Sequence, residues 1–201
     1  MRDHFFFLLA GILASIFVLM ALQPWAERLP TGPWSCGNCS NPEDALLDGE
    51  GLHRFVPGNY DGLQIIQPEG GGAPVLRITR QAEEQYENPL SGPHVVLRED
   101  LEYAFEDRKI EIIITARSAG GYPAEKFEAN YYAKPDGESG WKDFPLTGEF
   151  ADYSFEFGTP PRGAITSYDY LAIRPVVPDK HSTMEVKSIR IHAIGPKPTP
   201  G

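Results

Sequence analysis

The sequence predicts an all-β domain of two packed antiparallel sheets, set behind a single N-terminal transmembrane helix. Three observations predict it. An uncharged apolar run extends from Phe5 to Leu22; short β-rich runs separated by turn residues follow it; and no internal repeat or amphipathic helix of any length interrupts them.

At ~1.5 Å of rise per residue the roughly 18 residues of the apolar run make a helix of about 27 Å, close to the ~30 Å hydrocarbon core of a bilayer. Its strongly apolar side chains favour insertion by very roughly 4 to 7 kcal/mol. A secretory signal peptide would have a more basic start, a shorter run and a small-x-small cleavage site. Here Arg2 is diluted by Asp3, and Pro24 and Ala26 make a poor cleavage pair. Trp25 suits an interfacial position and Arg28 can reach headgroups. An uncleaved single-span anchor is therefore expected ahead of a cleaved signal segment. A buried soluble helix fits worst, because every side is apolar and no partner helices follow. The short N-terminal tail is expected to stay inside, with the bulk of the chain extracytoplasmic, in a periplasm or at a cell surface.

The chain then divides into residues 1–28, the anchor with its flanks; 29–50, a juxtamembrane linker rich in Pro, Gly, Ser and Asn; 51–195, the β domain; and 196–201, a Pro-rich tail. The exported part is long enough for one domain with a proper core. Residues 1–28 hold two acidic and two basic side chains, so the remainder keeps the net charge of −10 of the whole chain. No basic stripe is present to release counterions, which argues against nucleic acid and anionic headgroups as partners.

The two cysteines form Cys36-Gly37-Asn38-Cys39. A thioredoxin-type redox pair would need a strand before the motif and a helix after it, whereas Pro33 and Pro42 bracket this one in a turn-rich segment. Two cysteines supply only half of a zinc site. A small disulfide loop, or two free thiols, just outside the bilayer is the expected state. Asn38-Cys39-Ser40 also matches a glycosylation sequon.

Nine strands are expected: Leu63–Gln67, Val75–Arg80, His94–Arg98, Lys109–Arg117, Lys126–Lys134, Trp141–Pro145, Tyr153–Gly158, Tyr170–Val176 and Glu185–Ile194. Turn residues such as Gly70-Gly71-Gly72, Gly120-Gly121, Pro135-Asp136-Gly137 and Pro160-Pro161 separate them. Only Asp44–Leu47 and Glu83–Glu87 read as helical. Period-two alternation assigns the faces. Ile110, Ile112, Ile114 and Ala116 point to the core, as do Phe127, Ala129, Tyr131 and Ala133, and Leu171 and Ile173, and Ile189, Ile191 and Ala193. The outward side is rich in Arg, Glu, Asn and Tyr.

From Val75 to Ile194 the chain resembles the jelly-roll carbohydrate-binding modules of the galactose-binding-like group. The residues that carry this are Ser91-Gly92-Pro93-His94-Val95-Val96-Leu97 as an early strand, then Trp141-Lys142-Asp143-Phe144 leading into Leu146 through Phe157, then Tyr170-Leu171-Ala172-Ile173-Arg174-Pro175, and Val186-Lys187-Ser188-Ile189-Arg190-Ile191 closing the fold. The resemblance implies a jelly-roll sandwich. Such modules commonly hold a structural calcium ion with an acidic residue inside the last strand. The matching position here is Lys187, with Glu185 two residues earlier. A cation cannot ligate a cation, so no metal and no cofactor is expected.

The resemblance also implies sugar held by aromatic rings and polar forks on a sheet or at a loop end. Tyr132, Asn130, Glu128, Arg174, Tyr170, Arg77 and Trp141 are the principal candidates, with His192, Arg190, Tyr122 and Tyr168 beside them. Stacking supplies apolar burial, and Arg or Asn supplies directional hydrogen bonds. The plain alternative is cross-strand pairing on a solvated sheet, worth ~0.2–1 kcal/mol a pair. A catalytic carboxylate pair would need ~5–10 Å of separation in a cleft, and Glu128 and Glu111 are the pair that could share a face. The five histidines lack metal-ligand spacing, and no nucleophile elbow or phosphate loop occurs. The expected function is non-catalytic: a membrane-tethered glycan-binding module, with an accessory or scaffolding subunit of an envelope membrane-protein complex as the alternative.

Overall fold

The computed structural model describes residues 11–15, 17–18, 29–37, 41–68, 70–81, 88–133, 137–161, 168–177 and 182–195. Its strands are β1 (Asp44–Asp48), β2 (Leu63–Ile66), β3 (Val75–Arg80), β4 (His94–Val96), β5 (Lys109–Ser118), β6 (Lys126–Ala133), β7 (Gly137–Glu138), β8 (Lys142–Pro145), β9 (Ala151–Gly158), β10 (Tyr170–Pro175) and β11 (Ser182–Ile194); within the sandwich a short helix, α1 (Glu99–Phe105), lies between β4 and β5, and 3-10 turns span Gly49–Arg54 and Pro89–Ser91. They form two sheets. Sheet I runs β2-β3-β11-β5-β9, with β1 also on β11; sheet II runs β4-β10-β6-β7, with β8 also on β6. Every strand pair is antiparallel.

Alternation puts one face of each sheet into a shared core. Ile110, Ile112, Ile114 and Ala116 of β5, Leu76 and Ile78 of β3, and Phe127, Ala129 and Tyr131 of β6 are fully buried, as are Leu171 and Ile173 of β10. The long β11 is the spine of sheet I. Its register shifts between Val186 and Ser188. This bulge at Lys187 explains how Met184 and Val186 before it, and Ile189 and Ile191 after it, can all be buried. The extra residue switches the parity of the strand, so both halves keep their apolar side chains on the core face.

Asp44–Leu47, expected to be helical, lies instead in strand β1, which pairs with β11 with Asp44 opposite His192 and Asp48 opposite Ser188. Ala45 and Leu47 are buried while Leu46 is exposed, which is strand periodicity. Ahead of it, Trp34 is also part of the core. Its N–H donates to Val96 O (2.6 Å), and its carbonyl accepts from Arg98 N–H (2.8 Å), adding a strap to the edge of β4.

Helix α1 was not expected. It buries Leu101 and Phe105, one turn apart, and opens with Glu99, Asp100 and Glu102, acidic residues that favour a helix N-terminus. Arg108 just beyond it joins the two ends of the domain: it donates to Gly195 O (2.6 Å) after β11 and pairs with Glu43 (2.7 Å) before β1.

Of the predicted membrane span, residues 11–15 and 17–18 are helical, and the rest lies outside the described residues. Among the described residues no helix is long and apolar enough to cross a membrane. The predicted helix at Glu83–Glu87 and the Pro-rich tail, 196–201, also lie outside them. Cys36 is disulfide-bonded; Cys39 lies outside the described residues.

Candidate functional site

The outward face of sheet II collects six of the seven principal candidates. Register places them in rows. Tyr170 of β10 stands opposite Tyr132 of β6, Ala172 opposite Asn130, and Arg174 opposite Glu128. Directly opposed residues share a face, so the alternation that sends Tyr131 and Ala129 inward sends Tyr132, Asn130 and Glu128 outward together. Lys142 of β8 pairs with Ala129. Trp141, one residue earlier, is thereby brought alongside Asn130 and over Arg174.

The contacts within the face are close. The Tyr132 and Tyr170 rings stack at 4.6 Å between centroids, 11° from parallel. Arg174 Nε donates to Glu128 Oε2 (2.7 Å), and the guanidinium lies 3.8 Å from the centroid of the Trp141 ring. Asn130 Nδ2 donates to the Tyr132 hydroxyl oxygen (2.7 Å) and Glu138 Oε2 (3.3 Å), while Asn130 Oδ1 accepts from Ser139 Oγ (3.1 Å). His94 of β4 meets Tyr170 edge-on at 5.9 Å and donates from Nδ1 to Gly92 O (2.8 Å).

Burial divides these residues into two layers. Asn130 is 1% exposed and Tyr170 2%, so they support the face from beneath. Tyr132, Glu128, Arg174 and Trp141 are half-buried and reach the surface.

Electrostatics keeps the aromatic layer neutral. Burial, then the hydrogen bond and negative charge of Glu138, push the Tyr132 phenol well above its ordinary value. Burial and the same carboxylate push Tyr170 up to about 12. His94 is pushed down by burial, partly offset by its bond to Gly92. The face therefore offers neutral phenols and one internally compensated Arg–Glu fork. That set suits directional hydrogen bonding to hydroxyls beside an apolar ring.

Comparison with known proteins adds the fold. No family model and no curated protein matches the chain by sequence. Among solved structures, the CBM22-2 xylan-binding domain of Paenibacillus barcinonensis Xyn10C matches with a TM-score of 0.50 at 12% identity, covering 70% of this chain and 91% of that one. The CBM22-1 xylan-binding domain of the same protein gives 0.48 at 13% identity, covering 69% and 85%. A CBM4 structure gives 0.47 at 16% identity, covering 70% and 94%. With the CBM22-2 domain the chain shares the jelly-roll sandwich fold. At such identities the likeness is one of fold.

The seventh candidate, Arg77, is on the other side of the molecule. It belongs to β3 and pairs with Glu185 on the outward face of sheet I. His192 and Arg190 are on sheet I as well, held by Glu111 (3.3 Å) and Asp44 (2.5 Å). Tyr122 and Tyr168 are exposed loop residues. Glu111 is on β5 of sheet I and Glu128 on β6 of sheet II, so the two carboxylates do not form a pair. Glu138, Ser139 and His94 are the members of the face that the sequence reasoning missed. The sequence signature Pro135-Asp136-Gly137 was the available signal for Glu138, since β7 pairs antiparallel with β6 and has Glu138 opposite Tyr132.

Proposed function

We propose that the chain is a non-catalytic glycan-binding module that uses the outward face of sheet II and is held at the outer side of a membrane by its N-terminal apolar segment. The observation that carries the binding face is the grouping of Trp141, Arg174, Glu128 and Tyr132 at the surface over a buried Asn130–Tyr170 support. An aromatic face and a fixed polar fork side by side match a pyranose, which has one apolar face and an equatorial rim of hydroxyls. The internal Arg174–Glu128 pair holds the fork in place before ligand arrives, which lowers the ordering cost of binding. The extracytoplasmic location is supported by the uncharged run Phe5 to Leu22 and by the disulfide at Cys36, a bond that persists in oxidising compartments.

The test is affinity electrophoresis of the detergent-solubilised chain through gels containing neutral polysaccharides, xylans and β-glucans included. Retardation by at least one is expected. Trp141→Ala and Tyr132→Ala should each weaken it about tenfold, on the scale of ~1.4 kcal/mol. Absence of retardation by every polysaccharide, with a stoichiometric membrane protein co-purifying instead, would replace this reading with that of an accessory subunit of an envelope complex.

A further inference from the structure

The outward face of sheet I holds a second polar arrangement that the proposed function does not use. Glu185 of β11 stands in register between Arg77 of β3 and Arg117 of β5. Its side chain is 1% exposed. Arg77 donates to Oε1 from Nε (3.1 Å) and Nη2 (2.6 Å), and Arg117 approaches Oε2 with Nε (2.8 Å) and Nη2 (2.7 Å). Both carboxylate oxygens are thus engaged. Each guanidinium still has Nη1 without a partner among the described residues, and the two side chains remain about a third exposed, at 36% and 35%.

A cavity of about 560 Å³ lies over this row. The order of the sheet gives its shape. The Arg77–Glu185–Arg117 row is the floor, Ile66 of β2, Val75 of β3 and Pro68 between them line one side, and Phe150, just before β9, lines the other. Phe150 packs on the Arg117 guanidinium at 4.4 Å from its centroid, and Lys187 at the bulge brings its Nζ to 5.9 Å from the same ring. Among the lining residues two arginines stand against one glutamate, in a chain whose net charge is −10. A row that served only to neutralise Glu185 would need one arginine. The second leaves two guanidinium groups held in place by the buried carboxylate on the floor of one cavity, and guanidinium N–H groups are suited to carboxylate recognition.

We propose that this trough is a binding site for an acidic sugar unit, a hexuronate, whose carboxylate meets the free Nη1 groups of Arg77 and Arg117. The pyranose ring lies between the Ile66–Val75 wall and Phe150, and Gln67, also on the lining, is placed to hydrogen-bond its hydroxyls. The site is separate from the sheet II face and does not depend on it.

The experiment measures binding of a hexuronate oligosaccharide and of its neutral hexose counterpart to the full chain in detergent by titration calorimetry, with inorganic sulfate as competitor. The expected result is preference for the hexuronate, weakened at least tenfold by Arg117→Gln and by Phe150→Ala, reduced by added salt, and unchanged by Trp141→Ala. Far-UV circular dichroism and thermal melts establish that each variant is folded. Phe150→Ala removes a half-buried loop side chain and keeps the test open should Arg117→Gln fail to fold. Equal binding of hexuronate and hexose by the Trp141→Ala chain, whose sheet II face is weakened, would overturn the proposal. So would loss of hexuronate binding in Trp141→Ala alone, or equal competition by sulfate, which would reduce the site to a general anion contact. Failure here with retention of neutral polysaccharide on sheet II leaves the proposed function standing, and the converse holds equally.

Discussion

Trp34 gives the sharpest test of where the folded domain begins. Were residues 29–50 only a linker, Trp34→Ala would change nothing. The side chain is instead 2% exposed within the core cluster. A buried Trp removes ~150–250 Å² from water, which at ~25 cal/mol per Å² corresponds to about 4–6 kcal/mol as an upper bound. Measured truncations of buried Phe and Trp to Ala cost ~3–5 kcal/mol. The two hydrogen bonds to Val96 and Arg98 are made by the main chain and remain available to alanine, so the loss comes from packing alone. The expected destabilisation is therefore ~3–5 kcal/mol. For a domain of this size, at ~2–4 °C per kcal/mol, that lowers the melting temperature by roughly 6–20 °C. Urea unfolding of the full chain followed by far-UV circular dichroism is the assay, with an unchanged m-value as the sign that the same unit unfolds. A loss below ~1 kcal/mol would refute the inclusion of this segment in the sandwich.

Two further outcomes follow from local geometry. Tyr170 has a folded-state value raised from 10.0 to about 12, so between those limits the folded chain binds more protons than the unfolded one. Its contribution to stability is complete below pH ~10 and is lost as the pH climbs towards 12. A near-ultraviolet absorbance titration should show Tyr170 and Tyr132 still un-ionised at pH ~11; all nine tyrosines ionising together near pH 10 in the folded state would contradict the burial of the pair. A Cβ at Gly62 would fall 2.1 Å from Thr79 O, whereas at Gly148 it meets nothing within 4 Å. Gly62→Ala should thus cost at least ~1–3 kcal/mol and Gly148→Ala no more than ~0.5 kcal/mol; equal melting temperatures for the two variants would count against the close approach of β2 and β3.

Strand periodicity was legible wherever alternation ran for several residues. Ile110 to Ala116 and Phe127 to Ala133 need no tertiary information to identify a core face, and the outward alignment of Glu128, Asn130 and Tyr132 follows from the same pattern. What alternation cannot say is which sheet a strand joins. Arg77 was correctly outward and wrongly grouped, because its strand pairs with β11 rather than β10. Glu111 and Glu128 were brought together on paper for the same reason. Asp44–Asp48 has three consecutive apolar residues, a run too short to distinguish period two from period 3.6; pairing with β11 decides it. Helix α1 had a legible signal in Leu101 and Phe105 four apart behind an acidic turn. Trp34 had none, since its main chain is strapped to Val96 and Arg98, more than sixty residues away.

Arg108 gathers the point where the chain joins the sandwich and the point where it leaves, through Glu43 and Gly195. The first strand therefore lies antiparallel beside the end of the last, with Asp44 next to His192. Tension applied between these two points does not shear the ladder along its whole length; it opens it like a zipper, one rung at a time, starting at the Arg108 clasp. On the N-terminal side the Trp34 strap takes the load first. A domain wired in this way yields in small steps under traction, and its two ends give first while the rungs between β5 and β11 stay closed.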